Sequence, residues 1–173
     1  MSKPPFFCHN ISMEYKVGDR VVHSREGLST IKDIASISGN EYFVVVSDKG
    51  DRENIYVLKN RTENIIRPIM TLEDANELMN YMKSVGAEFI SNTKQRRDQY
   101  RKRLLSGSVN DLAYLTKQLY FFNYYNSIGQ VVKLGPTDLQ MLKDAERVLY
   151  DELAISFQLE RDLVGQRVES LIK

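Results

Sequence analysis

Ile65-Ile66-Arg67-Pro68-Ile69-Met70-Thr71-Leu72-Glu73-Asp74 is where this chain changes its period. Before it, apolar residues come in short β-branched and aromatic runs cut by turn residues. After it, they recur every three or four positions. Pro68 cannot donate to a β-ladder and marks the end of a strand. Thr71, followed by Glu73 and Asp74, has the form of a helix cap with acids in the first turn. The chain therefore reads as α+β, all-β then all-α, with the break near Pro68–Thr71.

Working back from the break, Glu53–Leu58 is a strand with Ile55-Tyr56-Val57 at its centre, and Asp48-Lys49-Gly50-Asp51 is the turn before it. Tyr42-Phe43-Val44-Val45-Val46 is the strongest β run, and Ser38-Gly39-Asn40 ahead of it is a hairpin signal. Leu28–Ile37 and Arg20-Val21-Val22-His23 precede it. Four or five short strands with tight turns over about 55 residues suggest a small SH3-like or Tudor-like β-barrel. Met1–Ser12, with Lys3-Pro4-Pro5 and an isolated Phe6-Phe7, reads as a tail outside it. The expected organisation is a tail (1–12), a barrel (13–69) and a bundle of about five helices (70–173).

Working forward, Leu72, Ala75, Leu78, Met79 and Met82 define a first helix that Gly86 ends. A second is expected from about Ser91 to Leu105, stopped by Ser106-Gly107. A third opens at Ser108, with Val109, Leu112, Leu115 (or Thr116), Leu119 and Phe122 as its inward stripe. A fourth, capped by Thr137, turns Leu139, Leu142, Ala145, Leu149 and Leu153 inward. The last covers roughly Arg161 to Ile172.

Composition narrows the function. Twenty-four Lys and Arg against 23 Asp and Glu give a net charge of +1, so any nucleic-acid contact must come from a local basic patch. The single cysteine, Cys8, excludes a disulfide framework and a cysteine-bound zinc site, and two histidines, His9 and His23, exclude a histidine-rich one. No stretch approaches the roughly 18 apolar residues of a membrane span, and a cytoplasmic, nucleoid-associated location is expected. Asp19, His23 and Ser24 are hydrolase-triad residue types, but their spacing along one strand cannot orient the imidazole between the other two. Cys8 and His9 are neighbours in the tail, where nothing fixes a nucleophile–base geometry. No catalytic residue, metal site, cofactor or small-molecule substrate is expected, and the chain is read as a non-enzyme.

The informative segment is Lys94-Gln95-Arg96-Arg97-Asp98-Gln99-Tyr100-Arg101-Lys102-Arg103, in which six residues are basic and one acidic, a local net charge of +5. On a helix, Lys94, Arg97 and Arg101 form one stripe, and Arg96 and Arg103 another. Arginine forks grip phosphate oxygens, and neutralised phosphates release counterions, so binding through this helix would be salt-dependent and nearly sequence-blind. The competing expectation is a solvated face, or arginines paired with acids of the fourth helix such as Asp144, Glu146 or Asp151. A second feature is Tyr120-Phe121-Phe122-Asn123-Tyr124-Tyr125, read as bundle packing in preference to base stacking. A third is the strand Glu53–Leu58, whose edge, if open, can pair with a partner's strand.

In order and spacing, these segments resemble the CarD/CdnL family of bacterial RNA polymerase-binding transcription regulators. Tyr15-Lys16-Val17-Gly18-Asp19-Arg20-Val21-Val22-His23, then Gly27, is similar to the family's opening, close to KVGDxVVYPxHG. Tyr42–Val46 matches its central strand, and Ile65-Ile66-Arg67-Pro68 its exit from the barrel. Leu104-Leu105-Ser106-Gly107-Ser108-Val109-Asn110-Asp111-Leu112-Ala113 resembles LxSGDxxxVA, with Leu119-Tyr120 after it. Met141-Leu142, Ala145 and Leu149-Tyr150-Asp151-Glu152-Leu153-Ala154 resemble the closing pattern. The resemblance covers nearly everything from Met13 to about Ile172.

It implies a Tudor-like domain that docks on the RNA polymerase β subunit, here through Arg52, Asn54, Ile55, Tyr56 and Val57. It implies a helical domain that contacts upstream promoter DNA, here through Thr93, Lys94, Arg96, Arg97, Arg101, Lys102 and Arg103, and alters open-complex stability. The chain departs from the family in ways that matter. It has no tryptophan, and the family's wedge position corresponds to Thr93. Basic positions of the fourth helix are Leu139, Asp144 and Glu146 here. An arginine of the barrel edge is Tyr56, and the YPxHG motif is His23-Ser24-Arg25-Glu26-Gly27. These departures leave an alternative, a polymerase-bound protein-interaction adaptor with little or no DNA binding.

Overall fold

A computed structural model describes residues 14–50, 53–63, 65–129 and 133–172. Five strands come first: β1 (Arg20–His23), β2 (Gly27–Ile37), β3 (Asn40–Ser47), β4 (Ile55–Leu58) and β5 (Ile66–Pro68). Five helices follow: α1 (Leu72–Ser84), α2 (Thr93–Ser106), α3 (Val109–Ser127), α4 (Pro136–Phe157) and α5 (Arg161–Ile172). The expected order of all-β then all-α holds. Residues 1–13, which contain the expected tail with Cys8 and His9, lie outside the described residues, as does Arg52.

The strands form one antiparallel sheet in the order β4-β3-β2-β1-β5. Ser38 and Gly39 both take positive φ, 50° and 79°, which the tight β2–β3 turn requires. A register shift between Ile31 and Asp33 makes Lys32 an extra residue, and such a bulge bends its strand. Val57 of β4 and Ile66 of β5, from opposite ends of the strand order, share one core with Val21, Ile31, Phe43 and Val45. The sheet is therefore curled on itself.

β1 explains how the sheet meets the helices. Successive side chains of a strand face opposite ways. Val21 enters the sheet's core, while Val22 and Leu28 enter a second core with Leu112, Leu115, Leu119, Met141, Leu142, Ala145 and Val148 of α3 and α4. That is why Val21, Val22 and His23 are all buried rather than alternating. The β1–β2 turn sits between α2 and α4. A Cβ on Gly107, which ends α2 at φ 63°, would come within 2.8 Å of the Ser24 Cα. Gly27 packs on Val148, and Arg147 donates to the carbonyls of Arg25 (3.1 Å) and Glu26 (3.4 Å). His23 Nδ1 accepts from the Arg25 and Glu26 N–H groups, which holds the turn. Burial lowers the His23 pKa, in keeping with an acceptor nitrogen.

The connector is clamped as well. Glu152 of α4, fully buried, accepts from both Nη atoms of Arg67 at 2.5 and 2.6 Å and from the Met70 N–H at 2.9 Å. Asp151 beside it pairs with Arg161 at 3.0 Å and with Lys49 from the β3–β4 turn.

The helices follow the sequence with local differences. Thr71 caps α1 in a reciprocal box with Asp74, while Leu72 faces solvent. The whole expected stripe of α3 is buried. α2 begins at Thr93, two residues later than expected, because the Asn92 side chain accepts from the Gln95 N–H and caps it. α4 is not capped by Thr137. Pro136 takes the first helical position, where its missing N–H costs nothing. The Asp138 carboxylate instead accepts from the Gly135 N–H at 3.0 Å. Leu139, expected inward, is half-buried. Among the described residues no helix is long and apolar enough to cross a membrane.

Candidate functional site

α2 is the most polar helix of the molecule, and its inner face shows why. Only Arg96 and Tyr100 of its residues are buried. Tyr100 anchors the helix in the α3–α4 core, and burial pushes its hydroxyl up to about 12. Arg96, one turn earlier and 3% exposed, donates from Nη2 to Asp138 Oδ2 at 2.9 Å and from Nη1 to the Ile90 carbonyl at 2.9 Å. Its guanidinium also lies 5.1 Å from the centre of the Phe89 ring. Asp138 is fully buried, so this is an interior ion pair joining α2 to the start of α4.

This corrects the reading of Arg96 as a phosphate contact: its donors are spent on the fold. Breaking a buried pair from one side typically costs 3–5 kcal/mol, because the other charge is left unpaired. Arg96→Ala is thus expected to lower the melting temperature by roughly 10 °C while leaving the salt slope measured with a DNA duplex as it is in the wild type. Calorimetry and a salt titration read the two effects separately.

Arg103 is also engaged. It pairs with Asp111 and lies 4.1 Å from the centre of the Tyr114 ring, half-buried between α2 and α3. An expected phosphate contact there has to displace an existing one. Arginine pairing with α4 does occur, but with Asp138 rather than Asp144, Glu146 or Asp151.

The other stripe is different. Thr93, Lys94, Arg101 and Lys102 are exposed and Arg97 is half-buried. Among the described residues, Lys94, Arg97, Arg101 and Lys102 make no hydrogen bond or ion pair. The Arg97 Nε is buried without a partner, with its guanidinium close to the Gly135 backbone at the start of α4. Asp98 shares this outward face and lowers its charge by one. The result is a row of uncommitted cations along one exposed helix side, suited to successive phosphates.

The second candidate surface is β4. It pairs with β3 alone, through Tyr42↔Leu58, Phe43↔Val57, Val44↔Tyr56 and Val45↔Ile55. The strand is shorter than expected, and Glu53 and Asn54 precede it as exposed coil. Tyr56 is 49% exposed and packs edge-on against Tyr42, their centroids 6.5 Å apart. The Val57 side chain is buried in the sheet core, so only its backbone can meet a partner. The edge thus offers unpaired ladder groups beside an exposed aromatic.

Two acids that hold the fold around these surfaces, Asp138 and Glu152, were not singled out from the sequence as ion-pair partners. Glu152 had a signal: it falls on the inward face of α4 between Leu149 and Leu153, where an acid requires a buried partner.

A family model described as CarD, C-terminal domain, matches residues 77–169, just over half of the chain. The match runs from within α1 into α5 and includes all of α2. With the sheet-then-helices order and the uncommitted cations of α2, it answers the resemblance drawn from the motifs: the chain belongs to the CarD family of RNA polymerase-associated transcription regulators.

Proposed function

We propose that this protein docks on the RNA polymerase β subunit through the edge of β4 and holds upstream promoter DNA against the outward face of α2. Ile55 and Tyr56, with the Val57 backbone, pair with a strand of the β subunit. Lys94, Arg97, Arg101 and Lys102 meet phosphates, with Thr93 at the duplex-facing start of the helix. No catalysis is involved. A protein that binds the open complex better than the closed one shifts the population towards opening, by no more than the difference in affinity. The observation that carries this reading is the division of the basic run: two arginines are consumed by acids and four cations are not.

The docking half is tested by pull-down of purified β subunit with the wild type and Tyr56→Asp. The variant places a charge on the exposed edge and is expected to lose binding at least tenfold, with an unchanged melting temperature. Equal retention of both proteins would remove β4 as the docking edge. The adaptor reading, with little DNA binding, is favoured by one observation: Thr93, not a large aromatic, stands at the first position of α2.

A further inference from the structure

One face of α4 carries the sheet. Arg147 and Val148 meet the β1–β2 turn. One helical turn further on, Asp151 meets the β3–β4 turn and Glu152 meets β5. Residues four apart in a helix share a side, so these contacts fall on one strip.

β4 is held unevenly at its two ends. Past its C-terminal end, the Lys59 N–H donates to the Glu41 carbonyl at 3.0 Å, and the Lys59 ammonium pairs with the Glu41 carboxylate at 2.9 Å. Both ties lie within the sheet. Ahead of its N-terminal end, Glu53 and Asn54 are exposed coil, and the chain is tied at the β3–β4 turn instead. Asp48 accepts from Arg20 and from the Thr30 hydroxyl, each at 2.8 Å, and Lys49 reaches across to Asp151 of α4. Asp151 is fixed on its own side. Its other oxygen takes Arg161 Nε at 3.0 Å, and the Arg161 guanidinium lies 5.8 Å from the centre of the Tyr150 ring. The Asp151 side chain is 14% exposed, so salt screens its pairing less than that of a fully exposed acid.

We infer that Asp151 is a positioning residue for strand docking: through Lys49 it holds the β3–β4 turn, and with it the start of the β4 edge, where a partner's strand is received. The inference rests on the proposed docking of β4. A four-residue strand laddered on one side has few bonds of its own to fix it. Restraint at its leading turn reduces the ordering that an incoming strand must otherwise impose. Asp151 acts through Lys49, not by touching the partner.

The test uses the full chain, purified β subunit, a DNA duplex and the variants Lys49→Met, Lys49→Arg and Asp151→Asn. Lys49→Met leaves the Asp151–Arg161 pair intact, so its melting temperature should stay within about 2 °C of the wild type. It should weaken β-subunit binding about threefold and speed hydrogen exchange at the β4 amides. Lys49→Arg keeps the pair and should bind as the wild type does. Asp151→Asn should match Lys49→Met, and the double variant should be no weaker than either, because both changes remove one interaction. Duplex affinity should be the same in every variant. Additive losses, or a loss in Lys49→Met that Asp151→Asn does not share, would make Lys49 a direct contact of the partner and overturn the inference. Unchanged β-subunit affinity in both single variants, with Tyr56→Asp still impaired, overturns it and leaves β4 as the docking edge. Tyr56→Asp binding as well as the wild type removes the docking edge itself, and the inference with it.

Discussion

Replacing Lys94, Arg97, Arg101 and Lys102 together by alanine is expected to weaken binding to duplex DNA on the order of a hundredfold at ~50 mM salt and to flatten its salt dependence. Each neutralised phosphate of B-DNA contributes about −0.9 to the slope of log affinity against log salt, so the slope should fall by roughly three to four. Three of the four side chains are exposed and none makes an ion pair among the described residues, so the melting temperature should move by no more than about 2 °C. Arg97 can even stabilise by its loss, since its buried Nε has no partner. An unchanged slope would rule out the outward face of α2 as the DNA contact. It would leave the adaptor reading standing, because docking through β4 does not use these residues.

Glu152→Ala should cost about as much stability as Arg96→Ala. That carboxylate holds both Nη atoms of Arg67 and the Met70 N–H at the one point where the sheet's chain becomes the helices' chain. Its removal leaves the half-buried Arg67 guanidinium with the Pro68 carbonyl as its remaining protein acceptor and the Met70 N–H with none, at a cost of about 3–5 kcal/mol. For a chain of this length that is a melting temperature lower by roughly 10 °C. Glu152→Gln retains an acceptor for the Met70 N–H and should fall between the two. A loss under about 2 °C for the alanine variant would mean that the junction is held by packing alone.

Much of the fold was legible because burial imposes a period on sequence. The α3 stripe was read residue by residue, since five apolar positions at helical spacing admit one inward face. The Ser38-Gly39 turn was read because few residue pairs tolerate two positive φ angles. Caps were less legible: Thr137 is a good capping residue, but Pro136 fixes the helix start two positions earlier and gives the task to Asp138 and the Gly135 N–H.

The basic helix shows where local reading ends. The wheel did separate Arg96 and Arg103 from Lys94, Arg97 and Arg101, and Tyr100 lies on the Arg96 side, which marks that side as inward. What sequence could not supply was the counterion, because Asp138 lies 42 residues further along the chain. A charge run reports how many cations a segment carries. Which of them remain uncommitted is decided by acids that arrive from elsewhere in the fold.

The β1–β2 turn, wedged between Gly107 and α4, has a consequence for avidity. It joins the β4 edge and the outward face of α2, the two surfaces proposed to bind, into a single body with little internal freedom. When one face is engaged, the other is delivered to its partner at a high effective concentration and without entropy lost to ordering a linker. Loosening the turn would therefore leave both individual affinities intact and still weaken the ternary assembly, as if the protein had been diluted.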